Sequence, residues 1–84
     1  MKVWIVFRQL IDWNTRDTEE SWWLVKKEED AKKGFQAELE AYYERFGKYK
    51  EESYSEYLIE DGLVKLEVPG EHRFLLLYQE EPVQ

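Results

Sequence analysis

Residues 28–47, "EEDAKKGFQAELEAYYERFG", form the only stretch of this chain whose apolar residues recur at helical spacing. Ala31, Phe35, Leu39, Tyr42 and Phe46 follow at steps of four, four, three and four, which makes a single stripe along one helix. Glu28, Glu29 and Asp30 fall in the first turn, where the helix dipole favours negative charge. No strong N-capping side chain precedes them, and Gly47 is the stop signal. Gly34 interrupts the pattern at a cost of about 1 kcal/mol relative to alanine. One helix with one apolar stripe needs a surface to lie on, and the remaining apolar runs supply it.

Those runs read as strands. "KVWIVFRQLI" (2–11) is rich in β-branched and aromatic residues, with Val3, Ile5 and Phe7 on one face and Trp4, Val6 and Leu10 on the other, Arg8 between them. "DWNTRDTEE" (12–20) reads as a polar loop, longer than a tight hairpin needs, that projects from the sheet. "SWWLVK" (21–26) reads as a second strand antiparallel to the first. After the helix and a polar link, "YLIEDGLVKLEVPGEHRFLLLYQ" (57–79) predicts a meander with strands near 57–60, 63–68 and 72–79. Asp61-Gly62 predicts a type I′ turn and Pro69-Gly70 the centre of a type II turn. "QEEPVQ" predicts a frayed polar tail.

The expectation is an α+β fold: one domain over residues 1–84, an antiparallel sheet of about five strands in the order β-β-α-β-β-β, and one helix packed on one face. A one-sided sheet alternates apolar with polar residues. Here Trp4 and Val6 oppose Ile5 and Phe7, Trp22 opposes Trp23, and Leu75 and Leu77 oppose Phe74 and Leu76. The second face therefore needs a cover, either a second copy in a homodimer, a loop folded back, or a foreign partner.

At 84 residues a chain buries only about 60–65% of its unfolded surface, so its core is thin. No cysteine is present, which excludes disulfides and thiolate metal sites and suits a reducing, cytoplasmic setting. The apolar run at the N-terminus is too short and too interrupted for a signal peptide or a membrane span. Net charge is −7; residues 1–50 carry ten acids and ten bases, whereas residues 51–84 carry nine acids against Lys65 and Arg73 alone. Such a surface repels nucleic acid and attracts a basic protein groove, or it serves solubility alone.

Catalysis has little support. His72 is the only histidine and reads as an exposed strand-end residue rather than a base or ligand. Ser21, Ser53 and Ser55 stand in no nucleophile motif. Glu51-Glu52 and Glu80-Glu81 lack calcium-loop spacing, and there is no glycine-rich phosphate loop. No cofactor and no metal are expected. Basic residues form no stripe with interleaved aromatics, which argues against direct nucleic-acid contact.

A protein partner is better supported. Four tryptophans, six tyrosines and four phenylalanines exceed what so small a core can hide, and such rings are enriched in binding hot spots. Trp13 is the ring expected to stand in water. In "YYERFGKYKEESYSEY" (42–57), Tyr42 and Phe46 belong to the helix stripe and Tyr43 to its edge, while Tyr49 and Tyr54 lie in the link and are expected to be exposed. The candidate partner-binding residues are Trp13, Asp17, Glu19, Glu20, Tyr49, Glu51, Glu52, Tyr54 and Glu56. Core packing or a solvated face is the alternative for each.

"KVWIVF", "SWWLVKKEEDAKKGFQAELEAYY" and "YLIEDGLVKLEV", over roughly residues 2–68, resemble a group of very small proteins encoded by bacteriophages and prophages, which open with a strand, turn back and run into an acidic helix. The longer 12–20 loop and the added "HRFLLLYQ" strand depart from that group, and no functional residues carry over. The resemblance implies a phage or mobile-element origin and an α+β fold. By analogy, small acidic phage proteins without active sites often act by binding and blocking host machinery. The function expected is therefore inhibition of a host nucleic-acid-handling protein, in the manner of an anti-CRISPR or other anti-defence inhibitor. The alternative is a self-assembling accessory interaction module.

Overall fold

A computed structural model describes residues 2–82. Five strands and one α-helix follow the chain as β1 (Lys2–Asp12), β2 (Thr18–Val25), α1 (Glu28–Phe46), β3 (Glu56–Glu60), β4 (Leu63–Val68) and β5 (His72–Pro82), with a single 3-10 turn at Glu51–Ser53. All pairings are antiparallel, in the order β2-β1-β5-β4-β3. The first strand thus pairs with the last, and β5 is the centre of the sheet. The interior strands β1 and β5 carry apolar residues on both faces. The edges are short or charged, "TEESWWLV" in β2 and "EYLIE" in β3, which discourages further strands from adding on.

Alternation sorts the side chains. On the helix side Val6 and Leu10 of β1, Val64 and Leu66 of β4, and Phe74 and Leu76 of β5 form one cluster with Ala31, Phe35, Leu39 and Tyr42 of α1. The helix stripe read from the sequence is therefore the buried face, and Phe46 packs against it from the last turn. Lys27 begins the helix without a side-chain cap, and Gly47, at φ 77°, ends it by donating its N–H to the Tyr43 carbonyl at 2.7 Å. Gly34 has a packing reason. A Cβ placed there would lie 3.0 Å from Cζ2 of Trp23, so the indole of β2 rests against the helix backbone. Arg8, on the helix side of β1, reaches Glu38 of α1 at 3.1 Å and Glu19 of β2 at 3.9 Å. Arg45 meets the same Glu19 at 2.8 Å, so one ionic chain ties helix and edge strand together.

Several boundaries differ from the sequence reading. β1 and β2 both extend past the expected loop, and what remains is a short turn, 13–17, that does not project. The Asp12 carboxylate closes it, accepting from the N–H groups of Asn14 (2.9 Å) and Thr15 (3.2 Å), with Arg16 left-handed at φ 63°. At 61–62 only Gly62 has positive φ, 90°, which is the pattern of a type II turn rather than the mirror-image type I′. Pro69-Gly70 does match type II: Gly70 has φ 76° and the Glu71 N–H bonds to the Val68 carbonyl at 3.0 Å. The expected tail is largely strand, since β5 runs to Pro82 opposite Lys2; Val83 and Gln84 lie outside the described residues. No helix among the described residues is long and apolar enough to cross a membrane.

Candidate functional site

The topology gathers the two candidate segments at one end of the sheet. β1 and β4 end there, β2, β3 and β5 begin there, and α1 delivers its C-terminus to the same end. Trp13 donates its backbone N–H to the Glu71 carbonyl at 3.0 Å, and the Tyr49 ring lies 6.0 Å from the ring of His72. The residues near 12–20 and those near 49–56 thus flank the start of β5 from opposite sides.

Charge concentrates at this end. Residues 12–20, 44–56 and 67–73 together carry ten acids against five bases, so five of the seven net negative charges belong to these segments. Not all candidate carboxylates are equally available. Glu19 is committed to Arg45 and Arg8, Glu56 sits 3.8 Å from Arg73, and Glu20 accepts from the Gln9 side chain at 3.1 Å. Asp17, Glu51 and Glu52 are exposed and make no ion pair among the described residues. Beside them stand Trp13, 42% exposed, and Tyr49, 37% exposed.

Two expectations about rings fail here. His72 is not exposed: only 1% of it is accessible. Its partner at Val68 and the preceding tight turn place it at a strand start, but on the helix side, where Phe46 stacks on it at 4.1 Å. Its Nε2 shares a 2.6 Å hydrogen bond with the Tyr42 hydroxyl. Burial holds the imidazole pKa below its usual value; Glu71 and Asp12 oppose that shift and Arg45 reinforces it. The same burial pushes the Tyr42 hydroxyl up, helped by the neighbouring Tyr54. Tyr54 is not free either. It packs against the core cluster and touches Tyr57 at 5.1 Å and Tyr49 at 6.0 Å between ring centres. Periodicity could not place it because the link around Glu51–Ser53 has no repeat to read. Among the described residues, no three His, Asp or Glu groups converge as a metal site.

A second feature is larger. No element among the described residues lies over the face of the sheet away from α1. Register places Trp22, Phe7, Leu77 and Leu63 side by side in one row across β2, β1, β5 and β4. Leu24 and Ile5 flank that row on one side, and Leu75 and Leu58 on the other. Trp22 is 60% exposed and Leu24 54%. No loop among the described residues folds back across them, so that way of covering the face falls away. The sequence shows the surplus in its missing alternation, but Trp22 and Leu24 become identifiable as exposed only once the pairing register is known.

No family model, curated protein or solved structure matches this chain.

Proposed function

We propose that this chain is a small non-catalytic protein that binds and inhibits a nucleic-acid-handling protein by presenting its acidic end to that partner's basic groove. The observation that carries the reading is the excess of ten acids over five bases in the segments at that end, with Trp13 and Tyr49 exposed among them. Asp17, Glu51 and Glu52 supply uncompensated charge where a groove expects phosphates, and the two rings supply anchors. A phage or mobile-element origin, a cytoplasmic setting and an anti-defence role such as CRISPR inhibition belong to the same proposal.

The test is capture from a bacterial lysate on immobilised protein, eluted once with salt and once with duplex DNA. The expected catch is a nucleic-acid-binding protein released by both, because a charge-led contact weakens with screening and competes with phosphates. An Asp17→Lys/Glu51→Lys/Glu52→Lys variant, folded by circular dichroism, should lose it. A catch that DNA fails to displace and the variant retains would overturn the reading.

A further inference from the structure

We propose that the uncovered face of the sheet is the seat of a second copy of this chain, packed face to face about a two-fold axis running close to β5. The inference rests on the face away from α1 and on the order of the strands rather than on the acidic-end reading, with Glu20 the one candidate partner-binding residue that both use.

Size favours a stable partner. Five strands at about 4.8 Å spacing and four rows of outward side chains make a face on the order of 24 by 20 Å. With side-chain relief, that footprint approaches the roughly 800 Å² each partner contributes to a standard protein interface. The middle of the patch is apolar without interruption, Phe7, Leu77 and Leu63 in one row and Leu75 beside them.

Symmetry favours a second copy over a foreign chain. A two-fold along the central strand lays β5 on β5, β1 on the partner's β4 and β2 on the partner's β3. Leu75 and Leu77 then meet their own counterparts, and Phe7 meets Leu63. The next row reads Glu20, Gln9, Leu75, Lys65, Leu58 across the five strands. Turned over, it sets Lys65 above Gln9. The Glu20 carboxylate already leans onto Gln9, at 3.1 Å from its amide. Lys65 has no ion pair among the described residues, and this arrangement brings it within reach of that carboxylate, twice, as a two-fold requires, while Arg73 faces its own counterpart and Trp22 faces Glu60. Because the axis runs along the strands, both acidic ends emerge on the same side of the dimer.

Sedimentation equilibrium of the 84-residue chain tests this. The expected mass is that of a dimer at micromolar concentration. Each copy carries −7, so salt, by screening their repulsion, should tighten the association. Leu75→Arg, on the axis, should give a folded monomer. Lys65→Glu and Glu20→Lys should each weaken dimerisation at least about tenfold, and the double swap should recover most of that loss. The swaps keep the test decisive if Leu75→Arg fails to fold. A monomer at about 100 μM, some hundredfold above the concentrations at which specific dimers of this size persist, would overturn the proposal. So would a double swap no better than either single change, since that removes the Lys65–Glu20 contact on which the axis depends.

Discussion

The Tyr42 hydroxyl and His72 Nε2 lie 2.6 Å apart, and this bond joins the last turns of the helix to the first residue of the central strand. Phe46 stacks on the imidazole at 4.1 Å, Tyr42 meets it edge-on, and Tyr42 itself stacks on Phe74 at 4.4 Å. Tyr42→Phe keeps the ring and deletes the hydroxyl. It leaves a buried imidazole nitrogen without its partner, so urea denaturation should show a loss of about 1–3 kcal/mol.

The same pair predicts a pH dependence. His72 has a folded pKa below its usual value of about 6.5. The unfolded chain therefore takes up the proton more readily. The stability held by the neutral imidazole is fully present above that usual value and is lost as pH falls below it through the folded one. Unfolding free energy should drop between about pH 7.5 and 5.5, before most carboxylates titrate. The slope should be flatter in His72→Asn; an unchanged slope would mean that His72 does not titrate differently on unfolding.

Tyr49 and Tyr54 should part company. Tyr49 is exposed, and Tyr49→Ser should shift stability by less than about 0.5 kcal/mol. Tyr54 is packed on the core cluster, so Tyr54→Ser should cost roughly 1–2 kcal/mol. Phe46→Ala, which removes the ring stacked on His72, should cost about 2–4 kcal/mol. Thermal melts of the three variants give the order directly.

These rings also mark how far the sequence can be read. The helix stripe, the face assignment of β1 and the acidic last third are periodic or compositional signals, and they locate the core without further information. His72 and Tyr54 follow no period. Their burial depends on where the helix ends relative to β5, a tertiary relationship that residues 47–55 do not encode locally. The length of β2 was hidden for a different reason. "TEES" has poor strand character by itself, and it becomes strand by pairing with Arg8–Ile11 of an interior strand. Of the candidate site, the gathering of residues 12–20 with 49–56 needed the β1–β5 pairing, which sequence order alone does not reveal.

Gly34→Ala should fail to stabilise. Helix propensity alone predicts a gain of about 1 kcal/mol. The new methyl would sit 3.0 Å from the Trp23 ring, so the gain should vanish or reverse. In a Trp23→Leu background the same change should recover its benefit, and a double-mutant cycle on urea midpoints measures the coupling.

Arg8 should tolerate loss of charge better than loss of bulk. It lies on the helix side of β1, with Glu38 at 3.1 Å and Glu19 at 3.9 Å. Arg8→Met keeps the apolar stem and should stay within about 1 kcal/mol of the parent, whereas Arg8→Ala should cost about 2 kcal/mol through lost packing. Denaturant titration of both variants decides it.

Two neighbours on β5 test the division of the sheet most directly. Leu76 is fully buried beneath the helix, and Leu77 faces the other way, beside Phe7 and Leu63. Each is changed to lysine, and far-UV circular dichroism is recorded at room temperature. Leu76→Lys should unfold the chain, because its charge has no partner in the core. Leu77→Lys should keep the folded spectrum, since its charge points away from the helix. If Leu77→Lys unfolds as completely as Leu76→Lys, that face belongs to the core of the single chain and is not an open surface.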